Sequence, residues 1–219
     1  MNELLFLAAI ILVSSAALAA LKFGKEALIT LIGVQWVLAN LFVTKQITLF
    51  GFEATASDAL AVGATLCLNL VQEYFGKKYA RKAIAIGFGS TLFYSALAFM
   101  QLMYLPSTLD NMHPHFCALL APMPRLIVAS MTTYLIVQWC DYKLYGLLKN
   151  ISSLTLRNYI SVGSTQLLDT ILFSFLGLYG LVSPLGSIIM VSYGIKVAVI
   201  LLAAPFISMS RYITIDQEC

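Results

Sequence analysis

The chain has 219 residues, of which 60% are hydrophobic and only 11% are charged, and its formal net charge is +3. Soluble domains are about half apolar and a quarter charged, so this composition excludes a soluble enzyme and a disordered chain. The small and scattered positive charge does not indicate a nucleic-acid partner. With a mean hydropathy of +0.89, the sequence predicts an integral membrane protein that forms one domain over residues 1–219.

Seven hydrophobic runs are long enough to cross a bilayer, which takes about 20 residues per helix. The predicted spans are Leu4–Leu21, Ala27–Thr44, Ala56–Tyr74, Ala83–Leu105, Phe116–Cys140, Tyr159–Val182 and Leu185–Ser208. Short connections such as Gly51-Phe52-Glu53 join them. The predicted fold class is an all-α polytopic bundle of seven transmembrane helices. Because only Ser183-Pro184 separates the last two spans, we expect these to be antiparallel neighbours.

The first run also has features of a cleaved signal peptide, since Ala17-Leu18-Ala19 resembles a cleavage site. Against this, the residues before the run include Glu3 and lack a basic residue. Cleavage would also leave Lys22 and Lys25 outside the membrane. We therefore expect a retained first helix.

The distribution of Lys and Arg predicts the orientation of the bundle. Ten of the 13 basic residues lie in one set of alternate connections: Lys22, Lys25, Lys77, Lys78, Arg81, Lys82, Lys143, Lys149, Arg157 and Arg211. The other set has only Lys45, and the remaining two basic residues lie inside spans. We expect the N-terminus outside and the C-terminus in the cytoplasm.

The sequence does not favour a metal, a cofactor or ATP hydrolysis. It has no CxxC pair and no GxxxxGK[ST] phosphate loop, and no predicted span contains a His. The segment His113-Pro114-His115-Phe116-Cys117 offers three weakly arranged metal ligands. We therefore expect neither a bound metal nor a cofactor, and an intramembrane His-dependent protease is disfavoured.

Three charged side chains lie well inside predicted spans, namely Arg125, Asp169 and Lys196. An ionisable group in hydrocarbon costs on the order of 3 kcal/mol, so each needs a partner or a function. Asp169 and Lys196 are expected to meet, because their spans are adjacent and the two residues lie at similar depth. One explanation is an ion pair that only holds two helices together.

More polar groups accompany these charges than one ion pair requires. Gln166 precedes Asp169 by three residues on the same helix face, and Asn40 lies in the second span. The third span carries Asp58, Thr65, Asn69 and Glu73 at spacings of 7, 4 and 4. We interpret this pattern as a polar cavity inside the bundle, also lined by Trp36, Phe173 and Tyr193, which suits a carrier of a small polar and flat solute.

The segment Leu68–Lys82 reads LNLVQEYFGKKYARK and resembles the D-x-x-x-E-x-Y-G-x-x-x-A-R-R signature of the queuosine precursor transporter family, also called vitamin-uptake-transporter-like. The resemblance continues through Arg125–Ser130, Gln138–Asp141 and Gln166–Thr170, and then to Phe173, Lys196 and Pro205. Together with Asn40, these blocks are spread from Asn40 to Pro205, a stretch of about three quarters of the chain.

The resemblance implies a six-helix core over residues 27–208, similar to the substrate-binding subunits of energy-coupling-factor importers, with the first helix (residues 4–21) as an addition. It also implies import of a 7-deazaguanine such as preQ0, preQ1 or queuine. Asp169 would bind the donor edge of this base, with Gln166 beside it. Arg125 or Lys196 would face the base carbonyl or balance Asp169, and Asn40 would be an additional contact. Asn69, at a position of the family signature, is the sixth predicted substrate-binding residue.

One departure from the family signature concerns charge, because Asn69 stands where the family usually has Asp. Arg125, Asp169 and Lys196 alone would give the bundle interior a charge of +1. Either Glu73 or Asp58 supplies the missing negative charge, or one base is neutral, or the substrate preference differs. We hypothesise a preference for a neutral or anion-tolerant ligand over a cationic amine such as preQ1.

Two other classes of function stay open. The first is a substrate-binding subunit of a vitamin importer that needs a separate ATPase module. The second is an intramembrane enzyme or a purely structural subunit. The expected partners are a small-molecule substrate and the lipid bilayer, with a second copy of the chain or an energy-coupling module left open.

Overall fold

The computed structural model describes residues 1–148 and 154–210. In chain order the elements are α1 (Asn2–Lys22), α2 (Lys25–Phe42), β1 (Gln46–Leu49), β2 (Phe52–Thr55), α3 (Asp58–Phe75), α4 (Lys77–Met103), α5 (His113–Leu120), α6 (Met123–Leu148), α7 (Leu154–Phe173), a π-helical segment (Ser174–Leu178) and α8 (Leu185–Ser210). The predicted connection at residues 149–153 and the basic residue Arg211 lie outside the described residues.

The helical bundle expected from the composition is confirmed, and the chain is a multi-pass membrane protein. Among the described residues, four helical stretches are long and apolar enough to cross a bilayer, namely Asn2–Lys22, Lys25–Phe42, Lys77–Met103 and His113–Val137. The total of seven spans, the single-domain organisation and the similarity to energy-coupling-factor subunits stay predictions.

Two glycines set tight boundaries between consecutive helices. Gly24 has a φ of +97° between α1 and α2, and Gly76 has a φ of +87° between α3 and α4. Glycine has no Cβ, so it adopts such positive φ values without steric strain. Both turns lie at the same end of the bundle, because the Lys25 ammonium lies 5.1 Å from the centre of the Tyr79 ring.

A β-hairpin joins α2 to α3, where the sequence analysis predicted only a short connection at Gly51-Phe52-Glu53. Gln46 pairs with Thr55 and Leu49 with Phe52 in an antiparallel register. Phe50 and Gly51 form the turn with φ values of 52° and 82°. Positive φ at both turn positions matches the right-handed twist of paired strands, which explains how this short segment closes.

The predicted fifth span, Phe116–Cys140, is interrupted. Helix α5 ends at Leu120 and α6 begins at Met123, with Ala121 and Pro122 in a turn between them. Proline lacks a backbone N–H, so it cannot continue a helical hydrogen-bond ladder and is best accommodated near a helix start.

Side-chain hydrogen bonds connect the hairpin to the first helix, α1, and to the residue before the last helix, α8. Glu3 at the start of α1 accepts a hydrogen bond from the Phe50 backbone N–H at 3.2 Å. The Gln46 side chain donates to the carbonyl oxygen of Ser183, just before α8, at 2.5 Å. The start of α1, the hairpin and the start of α8 therefore share one end of the bundle, opposite the turns at Gly24 and Gly76.

The core consists of two buried clusters. One, in the half formed by α1 to α4, contains Ala17, Leu21, Leu28, Ile29, Ile32, Leu66, Cys67, Leu70, Val71, Ala80 and Ala83. The other, nearer the hairpin end, contains Val43, Ala98, Leu120, Met123, Leu126, Leu178, Val182 and Ile188. Helix α1 is close-packed in the bundle, since a Cβ on Gly63 would lie 2.7 Å from that of Val13.

Candidate functional site

A cavity of about 380 Å³ lies inside the bundle. Helices α2, α3, α4, α6, α7 and α8 all contribute side chains to its wall, and Thr55 of β2 and Ser57 contribute at the hairpin end. Its volume falls in the range of small-molecule binding sites. One part of the wall is polar and another is aromatic.

The Asp169–Lys196 ion pair forms the centre of the polar wall. The Lys196 ammonium donates to Asp169 Oδ2 at 2.5 Å, which confirms that these residues of α7 and α8 meet. Their side chains are still 32% and 25% exposed, respectively, and both line the cavity. An ammonium has three donors and a carboxylate two acceptor oxygens, so the pair retains hydrogen-bonding capacity for a ligand.

A second carboxylate, Asp58 at the first position of α3, lies in the same wall. It is only 8% exposed, and its Oδ2 accepts a hydrogen bond from the Ser192 hydroxyl at 2.9 Å. Ser192 precedes Lys196 by one turn of α8. The points at which α8 contacts the two carboxylates are therefore about 6 Å apart along the helix axis.

Two amide side chains complete the polar lining, Gln166 on α7 and Asn40 on α2. Gln166 follows the same helix face as Asp169 and offers both a donor and an acceptor group. The Asn40 amide nitrogen donates to the Trp36 carbonyl oxygen at 2.8 Å within its own helix. The cavity can therefore satisfy a ligand that carries donors and acceptors on one edge.

The aromatic wall is formed by Trp36, Phe88 and Tyr134, with Phe173 also in the lining. The ring centres of Trp36 and Phe88 are 4.8 Å apart, and those of Phe88 and Tyr134 are 5.0 Å apart. Trp36 fits closely over α4 because Gly87 has no side chain, and a Cβ there would lie 2.7 Å from the indole ring.

The sequence analysis identified this aromatic wall only in part. Trp36 and Phe173 line the cavity as expected, whereas Tyr193 is not among the described lining residues and its hydroxyl donates to the Gly163 carbonyl at 3.4 Å. Phe88 and Tyr134 were missed. The chain has 13 Phe and 11 Tyr residues, and these two carry no spacing signal that separates them from ordinary apolar positions.

Arg125 lies outside the described lining of the cavity, unlike Asp169 and Lys196. Its guanidinium donates to the carbonyl oxygens of Leu176 at 3.0 Å and Tyr179 at 2.7 Å. These carbonyls lie in and just after the π-helical segment, where the backbone leaves its regular hydrogen-bond ladder. Arg125 on α6 therefore links that helix to the π-helical segment that follows α7.

Asn69 also lies outside the described lining, although Thr65, one turn earlier on α3, belongs to it. The structure thus brings four of the six predicted site residues to one cavity, namely Asp169, Gln166, Lys196 and Asn40. It separates Arg125 and Asn69 from them.

The segment His113–Cys117, which the sequence analysis considered as a weak metal site, lies on α5, and none of its residues belongs to the described lining of the cavity. His113 Nε2 and Cys117 Sγ are 3.4 Å apart, one helical turn from each other. In the part of the chain that the structure describes, no group of three or more His, Cys, Asp or Glu side chains could hold a metal ion.

The sequence matches, over residues 55–210, the family described as "Putative vitamin uptake transporter". The chain belongs to this vitamin uptake transporter family. It is also 30% identical over 203 residues to the "Probable queuosine precursor transporter" of Bacillus subtilis (strain 168), which covers 90% of this chain and 88% of that one. No solved structure matches the chain.

The family match includes most of the polar wall of the cavity, from Asp58 to Lys196, whereas Trp36 and Asn40 precede it. The resemblance proposed from the sequence motifs is thereby confirmed. Both the family and the Bacillus subtilis relative are described as transporters.

Proposed function

We propose that this protein imports a queuosine precursor, a 7-deazaguanine such as preQ0, preQ1 or queuine, across the bacterial cytoplasmic membrane. Support for the substrate comes from the name of the Bacillus subtilis relative and from the chemistry of the cavity. The proposed orientation, with the N-terminus outside, rests on the excess of Lys and Arg at the end of the bundle that contains Gly24 and Gly76.

The observation that carries the proposal is the Asp169–Lys196 pair beside Gln166 in a cavity with an aromatic wall. A guanine-like edge presents N–H and NH2 donors next to a carbonyl acceptor. The Asp169 carboxylate and the Gln166 oxygen complement the donors, and the Lys196 ammonium or the Gln166 amide complements the carbonyl. Asn40 supplies a further polar contact.

The aromatic wall provides a second, independent element of recognition. A planar bicyclic base has two apolar faces, and stacking of a base on an aromatic ring contributes about 1–3 kcal/mol. Trp36, Phe88 and Phe173 are available for this stacking on the cavity surface.

Arg125 and Asn69 have different roles in this proposal from those expected by resemblance. Arg125 is a positioning residue, since it holds the π-helical segment whose first residue, Ser174, and whose predecessor, Phe173, line the cavity. Asn69 has no assigned substrate contact.

The direct test is the thermal stability of the purified full-length protein in the presence of preQ0, preQ1, queuine, guanine and biotin. A ligand that binds the native state raises the apparent melting temperature by mass action. We expect stabilisation by the 7-deazaguanines and none by biotin. Stabilisation by biotin alone would overturn the proposed substrate class.

Transport itself is tested by uptake of a labelled 7-deazaguanine into vesicles that contain only the purified protein. We expect saturable uptake without an added ATPase. A strict requirement for a co-purified ATPase module would instead identify a substrate-binding subunit of an energy-coupled importer, while the ligand assignment would be unaffected.

A further inference from the structure

The charge of the cavity differs from the charge expected from the sequence. The sequence-based sum of +1 counted Arg125 together with Asp169 and Lys196. In the structure the guanidinium of Arg125 is bound to backbone carbonyls and Arg125 lies outside the described lining, whereas Asp58 lies in the cavity wall. Among the described lining residues the charged groups are two carboxylates and one ammonium, so with both carboxylates ionised the sum is −1.

The two carboxylates are not equivalent. Asp169 has a cationic partner in Lys196 at 2.5 Å, so its charge is largely compensated. Among the described residues, Asp58 accepts hydrogen bonds from neutral groups, the Ser192 hydroxyl on α8 and Thr55, and the Lys196 ammonium acts on it electrostatically without a direct hydrogen bond. A hydroxyl satisfies one carboxylate lone pair without adding a positive charge. Asp58 is therefore the acid of the cavity that lacks a directly bound cation among the described residues.

The position of Asp58 also suits a ligand that extends beyond one polar edge. Asp58 is opposite Ser192 and Asp169 is opposite Lys196, so α8 spaces the two acids by about one turn. A bicyclic base whose donor edge is bound at Asp169 directs its substituent on the other ring away from that edge. Asp58, toward the hairpin end of the cavity, is where a cationic substituent finds its counter-charge.

We propose that Asp58 is a specificity-determining residue that binds a protonated amino group on the substrate. On this basis the protein prefers a 7-deazaguanine with an aminomethyl group, as in preQ1, over one with a neutral substituent, such as the nitrile of preQ0. This rests on the proposed function, and it reverses the preference that the sequence-based charge sum suggested. The physical reason is that a cationic group bound at Asp58 compensates the charge that this buried carboxylate carries when it is ionised.

The first experiment uses the unaltered full-length protein and compares the dissociation constants of three ligands by equilibrium binding. These are preQ1, preQ0 and the 7-hydroxymethyl analogue, which matches the aminomethyl group in size but is neutral. A charge-assisted hydrogen bond predicts about tenfold tighter binding of preQ1 than of either neutral ligand. Equal or tighter binding of the hydroxymethyl analogue overturns the proposal.

The second experiment repeats these measurements with Asp58→Asn, which keeps the side-chain shape and removes the charge. We expect the preference for preQ1 to disappear while the affinity for the neutral analogue changes less than threefold. Asp110→Asn is the matched control, because Asp110 lies in the loop before α5, outside the described lining, and caps Met112 and His113 through one oxygen that Asn retains. A preference that survives Asp58→Asn overturns the role of Asp58.

The outcomes separate this inference from the proposed function. If no 7-deazaguanine binds the unaltered protein, the proposed substrate class is wrong. If the neutral ligands bind and the amine does not bind more tightly, only the inference fails. Should Asp58→Asn prevent folding, the three-ligand comparison on the unaltered protein still tests whether the protein prefers the cationic amine.

Discussion

The two basic residues inside predicted spans, Arg125 and Lys196, lie in contrasting environments. Among the described residues, the hydrogen-bond acceptors that Arg125 reaches are the backbone carbonyl oxygens of Leu176 and Tyr179. Lys196 shares one bond with Asp169 and faces a cavity of about 380 Å³. Around Arg125 the charged side chain binds backbone acceptors of the fold. The Asp169–Lys196 pair instead keeps part of its hydrogen-bonding capacity for a ligand. A charge inside a predicted span therefore indicates a binding site only when its side chain lines a cavity.

The largest effect on ligand binding is expected for Asp169→Asn, which removes the ion pair at the cavity. The change leaves the Lys196 ammonium without its carboxylate and removes the proposed acceptor of the base edge. We expect ligand affinity to fall by about tenfold to a hundredfold, because hydrogen bonds to charged groups contribute about 1.5–3 kcal/mol. Equilibrium binding of preQ1 checks this, with Asp110→Asn as the control. Unchanged affinity with lowered stability would show that the pair is purely structural.

Arg125→Gln, which removes the bonds to the backbone carbonyls, should lower stability more than it lowers ligand affinity. We expect the free energy of unfolding to fall by about 1–2 kcal/mol, since two hydrogen bonds to backbone carbonyls are lost at a partly exposed site. Ligand affinity should change less than it does in Asp169→Asn. Thermal denaturation of the ligand-free protein and binding of the same ligand measure the two effects. A larger loss of affinity than in Asp169→Asn would place Arg125 at the substrate instead.

Gly87→Ala sharpens the comparison by testing the aromatic wall. The new Cβ would lie 2.7 Å from the Trp36 ring, so the indole must shift. We expect ligand affinity to fall several-fold, as base stacking contributes about 1–3 kcal/mol when intact.

The matched control for that change is Gly89→Ala in the same helix, because a Cβ at Gly89 meets no atom within 4 Å. It should leave affinity unchanged and stabilise α4 slightly, since Ala is a better helix former than Gly. Equal effects of the two substitutions on binding would contradict the role of Trp36.

The smallest effect is expected at the hairpin, with Ser187→Ala. The Ser187 hydroxyl accepts from the Glu53 backbone N–H at 2.9 Å and donates to the Glu53 carbonyl at 3.3 Å. Loss of these bonds should lower the free energy of unfolding by about 1 kcal/mol. Ligand affinity should be nearly unaffected, because neither residue belongs to the described lining. A strong effect on uptake with unchanged affinity would indicate that the hairpin moves during transport.

The helices and the central ion pair could be predicted from local patterns. The length of an apolar run predicts a helix of that length. The two-residue connection Ser183-Pro184 predicted that the last two spans are neighbours and that Asp169 and Lys196 meet. The hairpin at residues 46–55 was missed, although eleven residues separate the second and third predicted spans, because the apolar-run analysis does not detect short strands. The break at Pro122 was missed because apolar residues continue on both sides of it.

The aromatic wall was harder to predict, for a different reason. Trp36, Phe88 and Tyr134 belong to three separate helices and meet only through packing. In a membrane helix an aromatic residue faces lipid, core or cavity without any change in local composition. Gly87 carried a weak signal, since a glycine within a helix often marks a close approach of another side chain.

By itself the sequence determined that this chain is a helical membrane protein, and it identified the charged groups that the bilayer would not accept without partners. Hydropathy and length are properties of each segment alone, so they can be read locally. The tertiary structure alone decided which of these charges faces the cavity. Arg125 finds its partners 51 and 54 residues away and Lys196 finds its partner 27 residues away, and only the packing of distant helices sets such distances.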